Sequence, residues 1–180
     1  MFNILLDDMP CDYMGHKIKT DFKQVFKFFA MQDDKDLTNQ EKTILMISCF
    51  FEKPVYTQDF IDYIGYYIRQ GEEPAEEDDG ETIFSWNQDI NYVFAAFMQV
   101  YKLDLTQAKM HWWKFLALYK GLPTGTKIGD IVQTRATPLP KAEKNNRAYV
   151  DSLRKLKLYY ALDKKENEIG TQIQNIFGAI

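Results

Sequence analysis

The side chains that could act as nucleophiles, bases or metal ligands are few and scattered in this 180-residue sequence. The histidines are His16 and His111, and the cysteines are Cys11 and Cys49. A catalytic site needs such groups together in one pocket, with pKa values suited to proton transfer or nucleophilic attack. No nucleophile elbow and no His/Cys set with metal-ligand spacing occurs in the sequence. We therefore expect no enzyme activity, no catalytic residues, no metal site and no cofactor.

Two segments resemble ligand-binding loops but lack the required spacing. A phosphate loop needs glycine directly before its lysine, whereas residues 121–127 read GLPTGTK. The acidic stretch 71–83 could be a calcium loop only if Ala75 and Trp86 occupied positions that require carboxylates. The first segment is better explained as a helix stop followed by a turn, and the second as a solvated acidic loop.

The most distinctive segment is residues 111–122, which read HWWKFLALYKGL. At helical spacing Trp112 shares an apolar stripe with Phe115 and other residues, so we expect it in the core. His111, Trp113 and Lys114 lie off this stripe, and they are candidates for a second packing layer or for partner binding. On this interpretation Trp112→Ala should destabilise the fold, whereas Trp113→Ala should impair assembly with less loss of stability.

Helical periodicity dominates the chain after the first 20 residues and predicts a mainly α fold. We expect about six to seven helices and, within residues 1–20, a small β-hairpin that turns at Gly15. Capping-box patterns at Thr38–Glu41 and Ser85–Gln88 mark two helix starts. A short connector separates the helix that begins after Ser85 from a helix capped by Thr106. These two helices are therefore predicted to form a central antiparallel helical hairpin.

We assign residues 1–162 to a single helical domain, which includes the N-terminal hairpin at 1–20 and the acidic loop at 71–83. Its last helix is predicted from Lys141 to Leu162, with an apolar stripe of Tyr149, Leu153, Leu156 and Tyr160. Residues 163–180 form a C-terminal amphipathic tail whose apolar side chains recur at helical spacing: Ile169, Ile173, Ile176, Phe177 and Ile180. This tail could dock on its own domain, or on a neighbouring subunit or client.

Charge is unevenly distributed along the chain. Lys and Arg total 22 against 26 Asp and Glu, a net charge of −4, which argues against nucleic acid as the main partner. Residues 71–89 hold eight acidic groups and no basic ones, whereas residues 141–165 hold eight basic and three acidic groups. Separated patches of opposite sign can direct self-association, although two solvated faces would show the same pattern. No run is long enough to span a membrane, and we expect a soluble intracellular protein.

Several motifs together resemble the phage "gene product fifteen" family of long-tailed phages that infect Gram-positive bacteria. The resemblance is carried by Ile18-Lys19-Thr20-Asp21-Phe22, by Phe84-x-Trp86-x-x-Asp89, by Ala96-Phe97-x-x-x-Tyr101-x-Leu103-Asp104-Leu105 and above all by His111-Trp112-Trp113-Lys114-Phe115-x-Ala117-Leu118. It extends to about residue 162, and the aromatic HWWKF core is its most specific part.

The resemblance implies a tail assembly chaperone, encoded between the major tail protein and the tape measure protein. Such a chaperone binds and solubilises the tape measure protein while the tail tube polymerises. The expected partners are the tape measure protein, further copies of the chain and the major tail protein, with no nucleic acid and no membrane. The candidate partner-binding residues are His111, Trp113, Lys114, Ile169, Ile173, Ile176 and Phe177. The expected location is the host cytoplasm during infection or prophage induction, and not the mature virion. The alternative is a structural tail completion or connector component that stays in the virion.

Overall fold

The computed structural model of this protein describes residues 2–32, 34–72 and 82–163. In this part of the chain the elements, in order, are β1 (Asp12–Tyr13), β2 (His16–Lys17), α1 (Phe22–Gln32), α2 (Asn39–Phe50), α3 (Gln58–Ile68), α4 (Trp86–Tyr101), α5 (Trp112–Lys120), α6 (Lys127–Ala136) and α7 (Arg147–Tyr159). The predicted mainly α fold, with six to seven helices and a small N-terminal β-hairpin, is confirmed. Most of the predicted acidic loop and the tail beyond residue 163 lie outside the described residues.

The β-hairpin forms where the sequence predicts it. Asp12 pairs with Lys17 and Tyr13 with His16 in antiparallel register. The two turn residues between the strands, Met14 and Gly15, both have positive φ, at 49° and 78°. Positive φ at both positions is characteristic of a type I′ turn, whose twist matches that of the flanking strands, and glycine adopts it without steric cost.

Local capping signals locate two helix starts correctly. Thr38 and Glu41 form the predicted capping box, in which each side chain accepts a hydrogen bond from the other residue's backbone amide. At α4 the Ser85 hydroxyl accepts from the Gln88 amide, but Asp89, one residue further along, accepts from the Ser85 amide at 3.0 Å. The second box is therefore completed by a buried carboxylate rather than by glutamine.

An extended segment between β2 and α1 connects distant parts of the chain through its backbone. Ile18 forms an antiparallel bridge with Phe51, just after α2, and Asp21 forms one with His111, just before α5. The first amide of α5, that of Trp112, also donates to the Thr20 carbonyl at 2.8 Å. The start of α5 is consequently fixed beside the start of α1.

Helices α4 and α5 contact each other but do not form the antiparallel hairpin predicted from the sequence. Trp86 in the first turn of α4 lies 4.7 Å from Tyr119 between ring centroids, and the Tyr101 hydroxyl in the last turn donates to the Leu118 carbonyl at 2.8 Å. Both ends of α4 thus reach the last turn of α5, whereas in an antiparallel hairpin the end of α4 would lie beside the start of α5. The most extensive packing of α4 is with α6, and that of α5 is with α1.

The antiparallel hairpin does not form because α5 begins at Trp112 and not after Thr106. The Asp104 carboxylate accepts hydrogen bonds from both the amide and the hydroxyl of Thr106, at 2.8 and 2.6 Å. This closes a turn instead of capping a helix. The connector therefore runs from residue 102 to His111, long enough to carry the chain across to α1.

Phe115 lies at the centre of the core, fully buried at 0% exposure. Its ring stacks on Phe22 of α1, Phe97 of α4 and Trp112 of α5, with centroid distances of 4.9, 5.1 and 5.4 Å. Aromatic pairs contribute about 0.5–1.5 kcal/mol each beyond the burial of their area. These stacks join α1 to α4 and α5, which lie more than 50 residues further along the chain.

Arg135 attaches α6 and α7 to α4. Its guanidinium donates to both carboxylate oxygens of Asp89, at 2.6 and 2.9 Å, and Asp89 is only 1% exposed. The same side chain donates to the carbonyls of Ile83, before α4, and Tyr160, after α7. A bidentate pair with these further bonds satisfies a buried charge that would otherwise be costly.

Helix α7 is shorter than the predicted span from Lys141 to Leu162. It begins only at Arg147, because the Asn146 side chain accepts from the Glu143 amide at 2.7 Å and donates to the Lys141 carbonyl at 3.1 Å. These bonds hold the preceding residues in a turn, the role in which asparagine competes with helix formation.

We expect Arg135→Met to lower the free energy of unfolding by about 3–5 kcal/mol, because it leaves the buried Asp89 carboxylate without a cation. The additional change Asp89→Leu should restore part of the loss. The control is Arg154→Met, which removes an exposed pair with Asp151 at 3.6 Å and should cost less than about 1 kcal/mol. Urea denaturation measures all three variants, and equal losses for Arg135→Met and Arg154→Met would contradict the prediction.

Candidate functional site

His111 is the N-cap of α5, and both of its ring nitrogens are engaged by the backbone. Its Nδ1 accepts a hydrogen bond from the Trp113 amide at 3.0 Å, and its Nε2 lies 2.9 Å from the Pro10 carbonyl. A carbonyl only accepts, so Nε2 must carry the proton and the ring is the neutral Nε2–H tautomer. Burial lowers the pKa of His111 below its ordinary value, although the bond to Pro10 opposes this. In this arrangement the ring stabilises a helix start and has no free nitrogen for acid–base catalysis.

Trp112 and Trp113 together cap the C-terminal end of α3. The Trp112 indole N–H donates to the Ile68 carbonyl at 2.9 Å, and the Trp113 indole N–H donates to the Tyr67 carbonyl at 2.7 Å. Carbonyls in the last turn of a helix have no partner within the helix, so side chains or water must satisfy them. Gln70 returns a bond from its side-chain amide to the Trp113 carbonyl at 2.9 Å. The two adjacent indoles therefore join α5 to α3.

The burial of Trp112 agrees with its predicted place in the core. It is 0% exposed, and its ring lies among Phe26, Phe29 and Trp86 at centroid distances of 6.0–6.4 Å. The apolar stripe on the sequence thus identified this residue correctly.

Trp113 occupies the second packing layer and not the surface. It is 2% exposed, and the Phe2 ring covers it edge-on at a centroid distance of 4.6 Å. Tyr66 and Tyr67 of α3 also pack near it, at centroid distances of 6.4 and 6.1 Å. In this arrangement its indole offers no contact area to a partner. Because Trp113 is as deeply buried as Trp112, we no longer expect Trp113→Ala to cost less stability than Trp112→Ala.

The structure brings together only some of the predicted partner-binding residues. His111 and Trp113 are neighbours, with ring centroids 6.2 Å apart, and the side chain of Lys114 is exposed beside them. The other four predicted residues, Ile169, Ile173, Ile176 and Phe177, lie outside the described residues.

Helix α7 exposes apolar side chains on more than one of its sides, which the predicted single stripe does not include. Val150 and Leu153 are its buried residues. The side chains of its exposed apolar surface are 46–77% accessible: Tyr149, Leu156, Leu158 and Tyr159. The predicted stripe placed Tyr149 and Leu156 together with Leu153 on the buried face. The sequence does contain an indication of this exposure. Leu158 and Tyr159 fall outside any single helical stripe that also contains Leu153, so one buried face could not cover all three.

Cations are interspersed on the same exposed surface of α7. Arg147, Arg154 and Lys155 are exposed, and Arg154 has a single carboxylate contact, with Asp151 at 3.6 Å. An exposed surface that combines leucine, tyrosine and arginine has the composition typical of protein interfaces. We call the four apolar residues and these three cations the α7 surface.

An apolar groove opens between α1 and α4. It has a volume of about 430 Å³ and is lined by Phe26, Ala30, Trp86, Asn87 and Ile90. Small-molecule sites of this size normally contain several convergent polar groups. Here Asn87 is the only polar residue in the lining, so the groove is suited to apolar side chains. We call it the α1–α4 groove.

Helix α4 also contains a buried polar atom on a different face from the groove-lining residues. The Nε2 atom of Gln88 is shielded from solvent and has no hydrogen-bond partner among the described residues. Leaving such an atom unsatisfied costs about 1–3 kcal/mol. The Oε1 atom of the same side chain accepts from the Asp163 amide at 3.0 Å, where the described part of the chain ends.

Within residues 2–32, 34–72 and 82–163, no three His, Cys, Asp or Glu side chains are grouped so that they could hold a metal ion. The same residues contain no helix long and apolar enough to cross a membrane.

Most of this chain matches a known protein family. The family described as Bacteriophage Gp15 protein matches residues 5–162, nearly the whole of the described chain. The chain belongs to this family. No curated protein and no solved structure shows a significant match. The match begins before the β-hairpin and ends after α7, so it includes the α5 segment, the α1–α4 groove and the α7 surface of this Gp15-family protein.

Both tryptophans of α5 are expected to be essential for stability. Trp112→Ala and Trp113→Ala should each lower the free energy of unfolding by about 3–5 kcal/mol, because each removes a buried ring together with its indole hydrogen bond to an α3 carbonyl. Lys114→Ala, at the exposed neighbouring position, is the control and should change it by less than about 0.5 kcal/mol. Urea denaturation gives the values, and a Trp113→Ala variant as stable as the control would disprove the capping role.

The neutral state of His111 predicts a loss of stability in acid. Its folded pKa lies below the unfolded value of about 6.5, so on acidification the unfolded chain takes up a proton before the folded chain does. Stability due to this group is complete above pH 6.5 and falls as the pH drops towards the folded pKa. His111→Asn keeps an N-cap acceptor that does not titrate, so its stability should fall less between pH 7.5 and 5. Parallel curves for wild type and His111→Asn would rule out the mechanism.

Proposed function

We propose that this protein is a phage tail assembly chaperone, which binds and solubilises the tape measure protein while the tail tube assembles. The observation that carries the proposal is its membership of the Bacteriophage Gp15 family over residues 5–162. The motifs with which this chain resembles that family lead to the same role. The protein acts by binding, without a catalytic step and without a cofactor.

The internal hydrogen bonds of the HWWKF segment support a binding role rather than a catalytic one. In the HWWKF segment the histidine caps a helix and both indoles donate to α3 carbonyls. The residues that could suggest chemistry are therefore used to fix the fold. Apolar side chains available to a partner lie elsewhere, including those of the α7 surface.

The α7 surface is suited to an amphipathic helix of a long client. Its leucines and tyrosines can cover an apolar stripe, and its cations can pair with acidic residues at the edges of that stripe. Each contact of this kind is weak, but copies bound along one client would hold it by multivalency. The tape measure protein is the client in this proposal, bound in the host cytoplasm, and the chaperone is released before the virion is complete.

Association between copies is a second part of the proposal. The acidic stretch 71–89 of one copy and the basic stretch 141–165 of another carry opposite charge. Their attraction would order copies head to tail along the client and would weaken with salt. Major tail protein subunits are further candidates for contact as the tube grows around the client.

Co-expression with the tape measure protein tests the chaperone function. The soluble fraction of the tape measure protein should rise when this protein is present, because the apolar stripes of the tape measure protein are then covered. Purified phage particles should contain none of this protein by mass spectrometry. A client that is equally insoluble in both cases would contradict the proposal, and presence in the particle would favour a structural tail completion or connector component.

Leu156→Glu/Tyr159→Glu tests the α7 surface specifically, because these exposed side chains are i and i+3 and lie on one side of the helix. Losing the apolar contacts that both would make with the client should weaken client binding by at least about tenfold, measured in a pull-down titration with tape measure fragments. The matched control is Asn91→Glu/Gln99→Glu, which adds the same charge at exposed positions of α4. Circular dichroism should show that both variants are folded. Equal affinities would locate the client site away from α7.

A further inference from the structure

Residues 3–8 form a turn that presents two adjacent leucines to solvent, and we call it the leucine turn. The Asn3 carbonyl accepts from the amides of Leu6 and Asp7 at 3.0 and 2.8 Å, and the Asp7 carboxylate accepts from the Asn3 amide at 2.7 Å. Leu5 and Leu6 are 88% and 82% exposed, more than any other large apolar side chain that the structure describes. Isolated exposed leucines are common on protein surfaces, but two neighbours held in a closed turn form a preorganised apolar contact.

The chain on both sides of the leucine turn is anchored to the start of α5. Phe2 packs edge-on against Trp113, and the Pro10 carbonyl accepts from the His111 ring. Helix α7, by contrast, packs against α6. The leucine turn and the exposed residues of α7 thus belong to different parts of the fold, and the described residues of the same chain cover neither of them.

One side of α7 is chemically complementary to the leucine turn. Arg147, Arg154 and Leu158 recur at i, i+7 and i+11, which places them on the same side of the helix. All three are exposed, Leu158 at 73%, and we call this the Leu158 side of α7. In the leucine turn Asp7 and Asp8 directly follow the two leucines and are also exposed. Each surface therefore combines apolar area with charge, and the two charges are opposite in sign.

The Leu158 side stays positively charged when its own carboxylate is counted. Asp151 lies on this side and pairs with Arg154 at 3.6 Å, but the two side chains remain 51% and 56% exposed. An exposed pair of this kind is weak, so Arg154 is able to exchange Asp151 for a carboxylate of the leucine turn. Arg147 and Lys155 are also exposed, which gives three cations against one carboxylate.

The residues proposed to contact the client lie on another side of α7. Leu156 is two positions before Leu158, and at 3.6 residues per turn roughly 200° of rotation separates their side chains. Tyr159 follows Leu156 by three residues and shares its side. Occupation of the Leu158 side therefore leaves Leu156 and Tyr159 available.

We infer that the leucine turn of one copy of this chain docks on the Leu158 side of α7 of a second copy. Three observations point to this occupant: the closed turn with its exposed leucines, the exposed Leu158 among cations, and the opposite charges of the two surfaces. Because the contact joins two different surfaces, each pair leaves one turn and one Leu158 side free, so copies associate head to tail. The inference does not depend on the proposed function, because the contact needs no client.

Sedimentation velocity of the full-length chain tests this contact by complementation. Wild type should form oligomers that grow with protein concentration. Leu5→Gln/Leu6→Gln removes the apolar part of the turn, and Arg154→Gln/Leu158→Gln removes its site on α7, so each should weaken self-association by at least about tenfold. Mixed in equal amounts, the two variants should form a heterodimer and nothing larger, because one intact turn and one intact Leu158 side remain between them.

A matched control lies on the other side of the same helix. Leu156→Gln/Tyr159→Gln should self-associate like wild type, and circular dichroism should show that all variants are folded. A wild-type chain that stays monomeric up to about 1 mM would overturn the inference. Undiminished association of Leu5→Gln/Leu6→Gln, as expected for a contact made by charged stretches alone, would also overturn it. A mixture of the two complementary variants that stays monomeric would do the same.

These measurements contain no tape measure protein, which separates the inference from the chaperone function. Head-to-tail association of the chain alone supports the inference whether or not the protein solubilises a client. Conversely, a chaperone that solubilises its client while the wild-type chain stays monomeric refutes the head-to-tail contact alone.

Discussion

The capping of α3 by two adjacent indoles is the interaction on which the rest of this structure depends. The Trp112 and Trp113 side chains donate to the consecutive carbonyls of Ile68 and Tyr67, which the helix itself cannot satisfy. For both indoles to reach them, the first turn of α5 must point at the end of α3. The backbone bond from Trp112 to Thr20 then places α1 in the same layer. One pair of residues thus sets the relative positions of three helices.

His111 extends this arrangement to the N-terminal segment. Its Nδ1 holds the first turn of α5, while its Nε2–H holds the Pro10 carbonyl, so one neutral ring connects a helix start with the segment before the β-hairpin. Phe2 covers Trp113 from the same segment. A charged imidazolium would lose the first of these bonds, because both nitrogens would then donate. The histidine that looked most like a catalytic group is a structural connection.

How far the sequence predicted this structure depended on the range of each interaction. Features encoded within four residues, such as the Thr38–Glu41 box and the turn at Gly15, were located correctly. The start of α5 was not, because it depends on a bond from Trp112 to Thr20, far apart in the sequence. Periodicity identified Trp112 as core but could not place Trp113, whose burial comes from α3 and Phe2. On α7 a period of 3.6 residues found the buried Leu153 but not which flank remained exposed.

The residues that identify the family differ from the residues that a partner can contact. The HWWKF segment is the most specific feature of the sequence. Its two indoles and its histidine form hydrogen bonds within the chain, and both indoles are buried. These three side chains therefore offer little surface to a partner. Apolar area open to other helices lies at the periphery, on α7 and in the α1–α4 groove. Such surfaces are hard to recognise from sequence motifs, because binding an amphipathic helix requires only apolar side chains at suitable spacing and not particular residues. A rigid aromatic interior with exposed apolar residues at its edges is compatible with the proposed weak, multivalent binding of similar helical segments.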